Sequence, residues 1–199
     1  MKPVLWLLGL SGSGKTTLGS LLRLYLEGQG LETEFVDGDI FRRRFGFSGF
    51  TPADRQRNID AMRDHVLDLA SRGKVCVVAA ITPYESMRQK NRAVFPLYRE
   101  VWVRCSLATL VERDVKGLYA KAACGELALL SGVSDTFDEP RRADRIIDTD
   151  GCALAESYGQ LRDFALDVLE ETRRWERLRR MLPALPHGFL EQRRPEAVA

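Results

Sequence analysis

Little in this 199-residue sequence points to covalent or metal cross-links. The four cysteines, Cys76, Cys105, Cys124 and Cys152, stand far apart with no C-x-x-C, and no histidine lies at zinc spacing. Neither a disulfide framework nor a zinc site is therefore expected. Cys76 falls inside an apolar stretch, where a small buried thiol is the ordinary role, and a reducing compartment matches this usage. No signal peptide precedes Pro3 and no apolar run approaches the length of a membrane span, so no membrane partner is expected and the cytoplasm is the expected location. Internal repeats and a second apolar core are also missing. A strong charge of either sign is absent, the formal net charge being +2, and 45% hydrophobic content fits a globular chain long enough to bury a real core. Lysine is scarce beside arginine, whose planar fork donates two parallel hydrogen bonds to phosphate or sulfate. That bias fits anionic ligands without choosing between small nucleotides and nucleic acid.

What is present begins with Gly9-Leu10-Ser11-Gly12-Ser13-Gly14-Lys15-Thr16, a full match to G-x-x-x-x-G-K-[ST]. An apolar run, Val4 to Leu8, precedes it and predicts a buried strand; Leu18, Leu21, Leu22 and Leu26 after it predict a helix over Thr17–Gln29. In that setting the glycines bring backbone N–H groups against a triphosphate, and the helix N-terminus adds its positive end. Gly9, Ser11, Gly12, Ser13, Gly14, Lys15, Thr16 and Thr17 are the candidate ATP-binding residues. Lys15 would meet the β and γ phosphates, and the Thr16 hydroxyl suits Mg²⁺.

Further along, Phe35 to Asp39 predicts a strand ending in Asp37-Gly38-Asp39, two acids where ligands bind in open α/β sheets. Either could accept a hydroxyl proton or hold the water shell of Mg²⁺, and Asp39 is the second candidate for the metal, through water. The basic, aromatic stretch Phe41 to Phe47 comes next. Thr51-Pro52-Ala53-Asp54 then has the form of a helix start, with Thr51 as cap and Arg55 and Asn58 in the first turns. Lys74 to Ala80 predicts a central strand leading into Ile81-Thr82-Pro83-Tyr84. A helix over 85–95, a strand at 101–103 and a short helix near 107–112 succeed it. From 113 to 140 the periodicity weakens, and beside a triphosphate site such a long connection predicts a lid that excludes water. A short strand at Ile146-Ile147 and a long helix over 153–181 complete a right-handed α/β sheet of about five parallel strands, a P-loop NTPase-type three-layer sandwich. Residues 1–170 are expected to form the kinase domain, with 171–199 as a basic helical extension and loose tail, broken by Pro183 and Pro186 and closing on Arg193-Arg194-Pro195.

In their order these motifs resemble the adenylylsulfate kinase family. The resemblance runs from about Val4 to Thr149 on Gly9–Thr17, Asp37-Gly38-Asp39, Gly46-Phe47-Ser48, Asp54-Arg55 with Asn58-Ile59, Ile81 to Tyr84, Lys116-Gly117-Leu118-Tyr119 and Phe137 to Pro140. It implies a P-loop kinase that uses MgATP to phosphorylate the 3′-hydroxyl of adenosine 5′-phosphosulfate in sulfate activation, commonly as a homodimer. By the same resemblance, Lys15, Asp39 and Lys116 are catalytic. Asp37, Arg42, Arg55 and Asn58 hold the acceptor, Phe47 and Phe137 clasp its adenine, and Ile81 borders that base. The sequence departs from the family pattern at Ile40, where Asn is usual, at Arg43 and Arg44 in place of His-Gly, at Ala123 for an arginine and at Ser134 for an acid. Two alternatives stay open: a related P-loop kinase for another small alcohol or nucleotide, and a non-catalytic nucleotide- or nucleic-acid-binding module using the arginine-rich C-terminus. The latter weighs less, because a sensor has no need of Asp39, Lys116 and both aromatic positions together.

Overall fold

Strands buried on both faces cannot alternate apolar with polar residues, and β1 (Val4–Leu8) is apolar throughout and fully buried. It pairs in parallel with β3 (Val75–Ala79) on one side and β4 (Tyr98–Arg104) on the other. The sheet order is β2-β3-β1-β4-β5, with β2 (Thr33–Asp37) and β5 (Arg145–Asp148) at the edges. The computed structural model describes residues 1–181, so the tail expected beyond Met181 lies outside the described residues.

Odd and even positions of β1 serve different cores. Val4, Trp6 and Leu8 join Val36 and Val78 beneath α3 (Pro52–Ser71) and α4 (Glu85–Val94). Leu5 and Leu7 join Val77 and Val103 beneath α1 (Lys15–Gly28) and α7 (Leu154–Met181). The expected three-layer α/β sandwich is what the chain forms. The α3 start is also as expected: Thr51 Oγ1 accepts from Asp54 N while Asp54 Oδ2 accepts from Thr51 N, a reciprocal cap. The helix after the first loop begins two residues earlier than its periodicity predicts, because Lys15 and Thr16 belong to its first turn. The 113–140 connection is less irregular than expected and contains α6 (Leu118–Ala123), just after α5 (Leu107–Arg113). α7 runs unbroken across residue 170, with Thr172 buried.

A buried arginine ties the sheet to the loop after β3. Arg88, fully buried on α4, donates to Thr82 O (3.1 Å), Asp138 O (2.8 Å) and Glu85 Oε2 (2.9 Å), and lies 3.9 Å from the buried Glu100 of β4. Burial pushes the Glu100 carboxyl up, and the Arg92 and Arg88 cations pull against it. Trp6 Nε1 donates to Thr82 Oγ1 at 2.8 Å, which holds Thr82 at a positive φ of 46°. Left-handed backbone at a β-branched residue is strained, so these contacts set the loop where an unconstrained chain would not put it. Replacing Arg88 with Ala removes the donor to the buried Thr82 carbonyl and the part-buried Asp138 O and Glu85 Oε2, and weakens the answer to Glu100. The expected loss is about 3 kcal/mol of unfolding free energy, the lower part of the range for breaking a buried ion pair because Arg92 remains; chemical denaturation of Arg88→Ala measures it.

Candidate active site

Beyond Leu8 the chain has to leave a dry sheet and turn into α1, and it does so through glycines. Gly9 runs so close to β4 that a Cβ there would stand 2.2 Å from Val103 O. Gly14 takes φ 96° at the N-terminus of α1, a conformation that suits only a residue without Cβ. The loop thus built wraps one end of a cleft of about 480 Å³ at the carboxyl ends of β1, β2 and β3. Ser11, Gly12, Gly14, Lys15, Thr16 and Thr17 line it; Gly9 and the fully buried Ser13 stand behind and do not.

Lys15 Nζ donates to Leu10 O at 2.6 Å and Ser13 Oγ at 3.2 Å. Burial, reinforced by the neighbouring Lys116 cation and opposed by Asp39 and Asp37, pulls its ammonium down to about 7. A buried cation this uneasy fits a site whose missing partner is an anion. Thr16 Oγ1 donates to Asp37 Oδ2 at 2.7 Å, while Asp37 Oδ1 accepts from Asp39 N and Ile40 N and so caps α2 (Gly38–Arg44). The acid in contact with Thr16 is thus Asp37, which also lines the cleft, and its carboxylate is shared between Thr16 and the α2 cap. Two oxygen donors in contact, open to the cleft, match what Mg²⁺ accepts beside phosphate and water.

Asp39, in the first turn of α2, pairs with Lys116, which arrives from the 113–140 connection between α5 and α6. Burial would raise the Asp39 carboxyl, yet Lys116, Lys15 and Arg43 outweigh it and hold the group below the usual carboxylate range. Tyr119 in α6 fastens the same connection to the loop by donating to Ser11 O at 2.8 Å. Across the cleft stand Arg42, Arg55, Asn58 and Ile81. Asn58 is buried, and its Oδ1 has no hydrogen-bond partner among the described residues, so this face of the cleft holds an acceptor atom waiting for a donor.

Phe47 and Phe137 are not brought into the cleft. Both are part-buried against the core around Phe41 and Ile59, and Phe47 stacks on Phe41 with ring centroids 6.2 Å apart. The aromatic residue that lines the cleft is Phe50, with the Arg42 guanidinium 4.6 Å and that of Arg55 5.7 Å from its ring centre. The sequence carried a signal for it: Gly46-Phe47-Ser48 is succeeded at once by Gly49-Phe50-Thr51, and only the second triplet abuts the Thr51 cap. Its ring is therefore placed against Arg55 by a fixed helical start, whereas Phe47 follows the turn at Phe45–Gly46 and packs on the core. Arg42 supports this arrangement by donating to Gly49 O at 2.6 Å.

The comparisons with known proteins agree with this architecture. A profile of the adenylylsulphate kinase family matches residues 1–148. An adenylyl-sulfate kinase of Deinococcus deserti is 40% identical over 161 residues, covering 80% of this chain and 89% of the relative. One of Chloroflexus aurantiacus is 40% identical over 159 residues, covering 79% and 86%. An APS kinase of Mycobacterium tuberculosis, solved in complex with AMPPNP and APS, superposes with a TM-score of 0.78 at 30% identity, covering 85% of this chain and 98% of that one. With the glycine loop, the two-acid strand end and the lysine from the long connection meeting in one cleft, and with this extent of likeness, the chain belongs to the adenylylsulphate kinase family.

Proposed function

We propose that this protein transfers the γ-phosphoryl group of ATP to the 3′-hydroxyl of adenosine 5′-phosphosulfate, giving 3′-phosphoadenosine 5′-phosphosulfate. The observation that carries the proposal is the meeting of Lys15, Asp39 and Lys116 at one end of a cleft whose other end presents Arg42, Arg55 and Asn58. A donor triphosphate fits the first end and an anionic nucleoside acceptor the second. The solved relative that holds AMPPNP together with APS supports a site for both nucleotides. Residues 1–170 would constitute the kinase, with 171–199 as an appended basic segment, and two copies would pair as the family resemblance implies.

In this reading the loop amides and Lys15 hold the β and γ phosphates, and ATP exchanges the present bonds of Lys15 to Leu10 and Ser13 for charge-assisted ones. Thr16, fixed by Asp37, would hold Mg²⁺ together with phosphate oxygens; the cation supplies neutralisation of charge on the triphosphate. Asp39 accepts the hydrogen bond of the acceptor hydroxyl and orients its lone pair toward the phosphorus. In the free protein Lys116, Lys15 and Arg43 hold its carboxyl below the ordinary range, so it meets the acceptor ionised. Lys116, released from Asp39 as the nucleotides bind, turns to the transferring phosphoryl oxygens, where negative charge spreads in the transition state. Phe50 offers a flat face for the acceptor base.

Incubation with MgATP and adenosine 5′-phosphosulfate, with products resolved by chromatography, is expected to yield the 3′-phosphorylated product, and Lys15→Ala to lower turnover by about 2 to 3 orders of magnitude. Transfer to a different acceptor alone in a panel of nucleotides and small alcohols would overturn the substrate. Phe50→Ala is expected to raise the acceptor KM about tenfold, the loss of roughly 1.4 kcal/mol of ring contact. Its ATP KM should stay within about twofold. Phe137→Ala should lower Tm instead and leave the two KM values in their wild-type ratio. ATP binding should also take up a proton. Lys15 is half neutral near pH 7 in the free protein, and the triphosphate favours its charged form, so uptake approaches one proton at pH 8–9 and falls toward zero by pH 6. Calorimetry in buffers of different ionisation enthalpy reads this directly.

A further inference from the structure

Arg55 enters the cleft from α3, yet two of its guanidinium nitrogens face the 113–140 connection. Nη2 donates to Leu129 O at 2.8 Å, and Nε stands 3.0 Å from Asp135 Oδ2, the two side chains being 6% and 9% exposed. The Nε–H is not aligned on the carboxylate, so this contact acts as an ion pair by proximity. Nη1 makes no hydrogen bond among the described residues, and it is the nitrogen left for the cleft that Arg55 lines.

Asp135 is itself fixed from several sides. Tyr84 Oη, from the loop after β3, donates to its two carboxylate oxygens at 3.0 and 3.1 Å. Asp135 N donates to Leu130 O at 3.1 Å and Gly132 N to Asp135 O at 2.7 Å, while Leu130 N donates to Ser134 Oγ at 3.0 Å. This closed turn, anchored by the buried Leu130, leaves the carboxylate little freedom. Burial first, and the hydrogen bond to Asp135 second, raise the Tyr84 phenol, which therefore stays a donor through the neutral range.

We propose that Asp135, held by Tyr84, is a positioning residue for the acceptor: it fixes the Arg55 guanidinium so that Nη1 is presented to the acceptor's anionic end. The proposal rests on the reading of the cleft as the adenosine 5′-phosphosulfate kinase site. An arginine side chain free to rotate would lose conformational freedom on each binding event, and a buried guanidinium without a counter-charge would be costly. Asp135 removes both costs before the acceptor arrives. Asp135 itself does not line the cleft.

Steady-state kinetics of the full chain with ATP and adenosine 5′-phosphosulfate test this in Asp135→Asn, Asp135→Glu and Tyr84→Phe. Asp135→Asn is expected to raise the acceptor KM about tenfold or more, the scale of one misaligned charge-assisted hydrogen bond, with the ATP KM within about twofold. Asp135→Glu should recover part of the loss, and Tyr84→Phe should shift the acceptor KM in the same direction by about threefold. Acceptor and ATP KM values that move together, or an acceptor KM that stays put or falls, would reduce Asp135 to a structural pin and overturn the proposal. Should Asp135→Asn not fold, Tyr84→Phe carries the same measurement. If the wild-type protein fails to use adenosine 5′-phosphosulfate, the substrate reading falls, and the crystal structure of the folded variant, Asp135→Asn or Tyr84→Phe, decides the positioning separately. A guanidinium displaced from its wild-type place upholds it, and an unmoved one ends it.

Discussion

Because β1 is hydrogen-bonded on both edges and buried on both faces, the chain can place polar groups only beyond its ends. That constraint fixes where the site has to be. Leu7 pairs with Ala79 and Ala79 with Asp37, so the glycine loop, the Ile81–Tyr84 loop and the Asp37-Gly38-Asp39 turn emerge at one level of the sheet. Loops of such different composition meet because three strands stop together. The close approach of Gly9 to Val103 O extends the same alignment to β4. Arg88 then fixes the height of the loop after β3, using a charge that could not be buried without the carbonyls and Glu100 around it.

Charge in the cleft is arranged so that polar groups on one element answer anions on another. Asp37 answers Thr16, Asp39 answers Lys116, and Asp135 answers Arg55. Lys15 differs: its bonds go to a carbonyl and a hydroxyl, and burial pulls its ammonium down to about 7. A low-dielectric pocket containing a cation without a carboxylate partner stores an attraction for whatever anion arrives. The same pocket depresses Asp39, so an ionised carboxylate and a poised ammonium coexist within one cleft. Two opposite demands on neighbouring groups are met by placing one deep in the loop and the other at the exposed start of a helix.

The fold was legible in the sequence because its signals are local. Apolar runs of strand length, the glycine loop between Leu8 and Thr17, and Thr51-Pro52 before an acid each specify their own conformation. The convergence of Lys15 and Asp39 on one cleft was legible for the same reason, both lying within or beside such elements. What escaped depends on contacts between distant residues. Phe47 and Phe50 stand in successive Gly-Phe triplets, and their fates differ because one follows a turn onto the core and the other abuts the α3 cap, a difference marked only by the Thr51 that comes after Phe50. Asp37 and Asp39 are two residues apart, yet the first faces Thr16 and the second Lys116, an outcome set by which of them caps α2. The pairing of Arg55 with Asp135 joins residues on either side of β3 and β4 in the chain and had no local mark.

The positions at which this chain departs from its family lie unevenly in the cleft. Ile40 and Arg43 line it from α2, and Arg43 adds positive potential at Asp39. Ala123 ends α6 and does not line the cleft. Ser134, where an acid is usual, uses its hydroxyl to close the turn that presents Asp135. The glycine loop keeps the full G-x-x-x-x-G-K-[ST] pattern, whereas α2 presents an apolar side chain at Ile40 and a cation at Arg43 to the same cleft. Such a pattern arises when phosphoryl transfer is held constant and acceptor contacts are redistributed: transfer depends on a fixed array of donors around a shared triphosphate, and the acceptor can be gripped by more than one set of side chains. Beside these changes Arg55, part of the shared Asp54-Arg55 motif, keeps its place at the cleft, with Asp135 Oδ2 3.0 Å from its Nε.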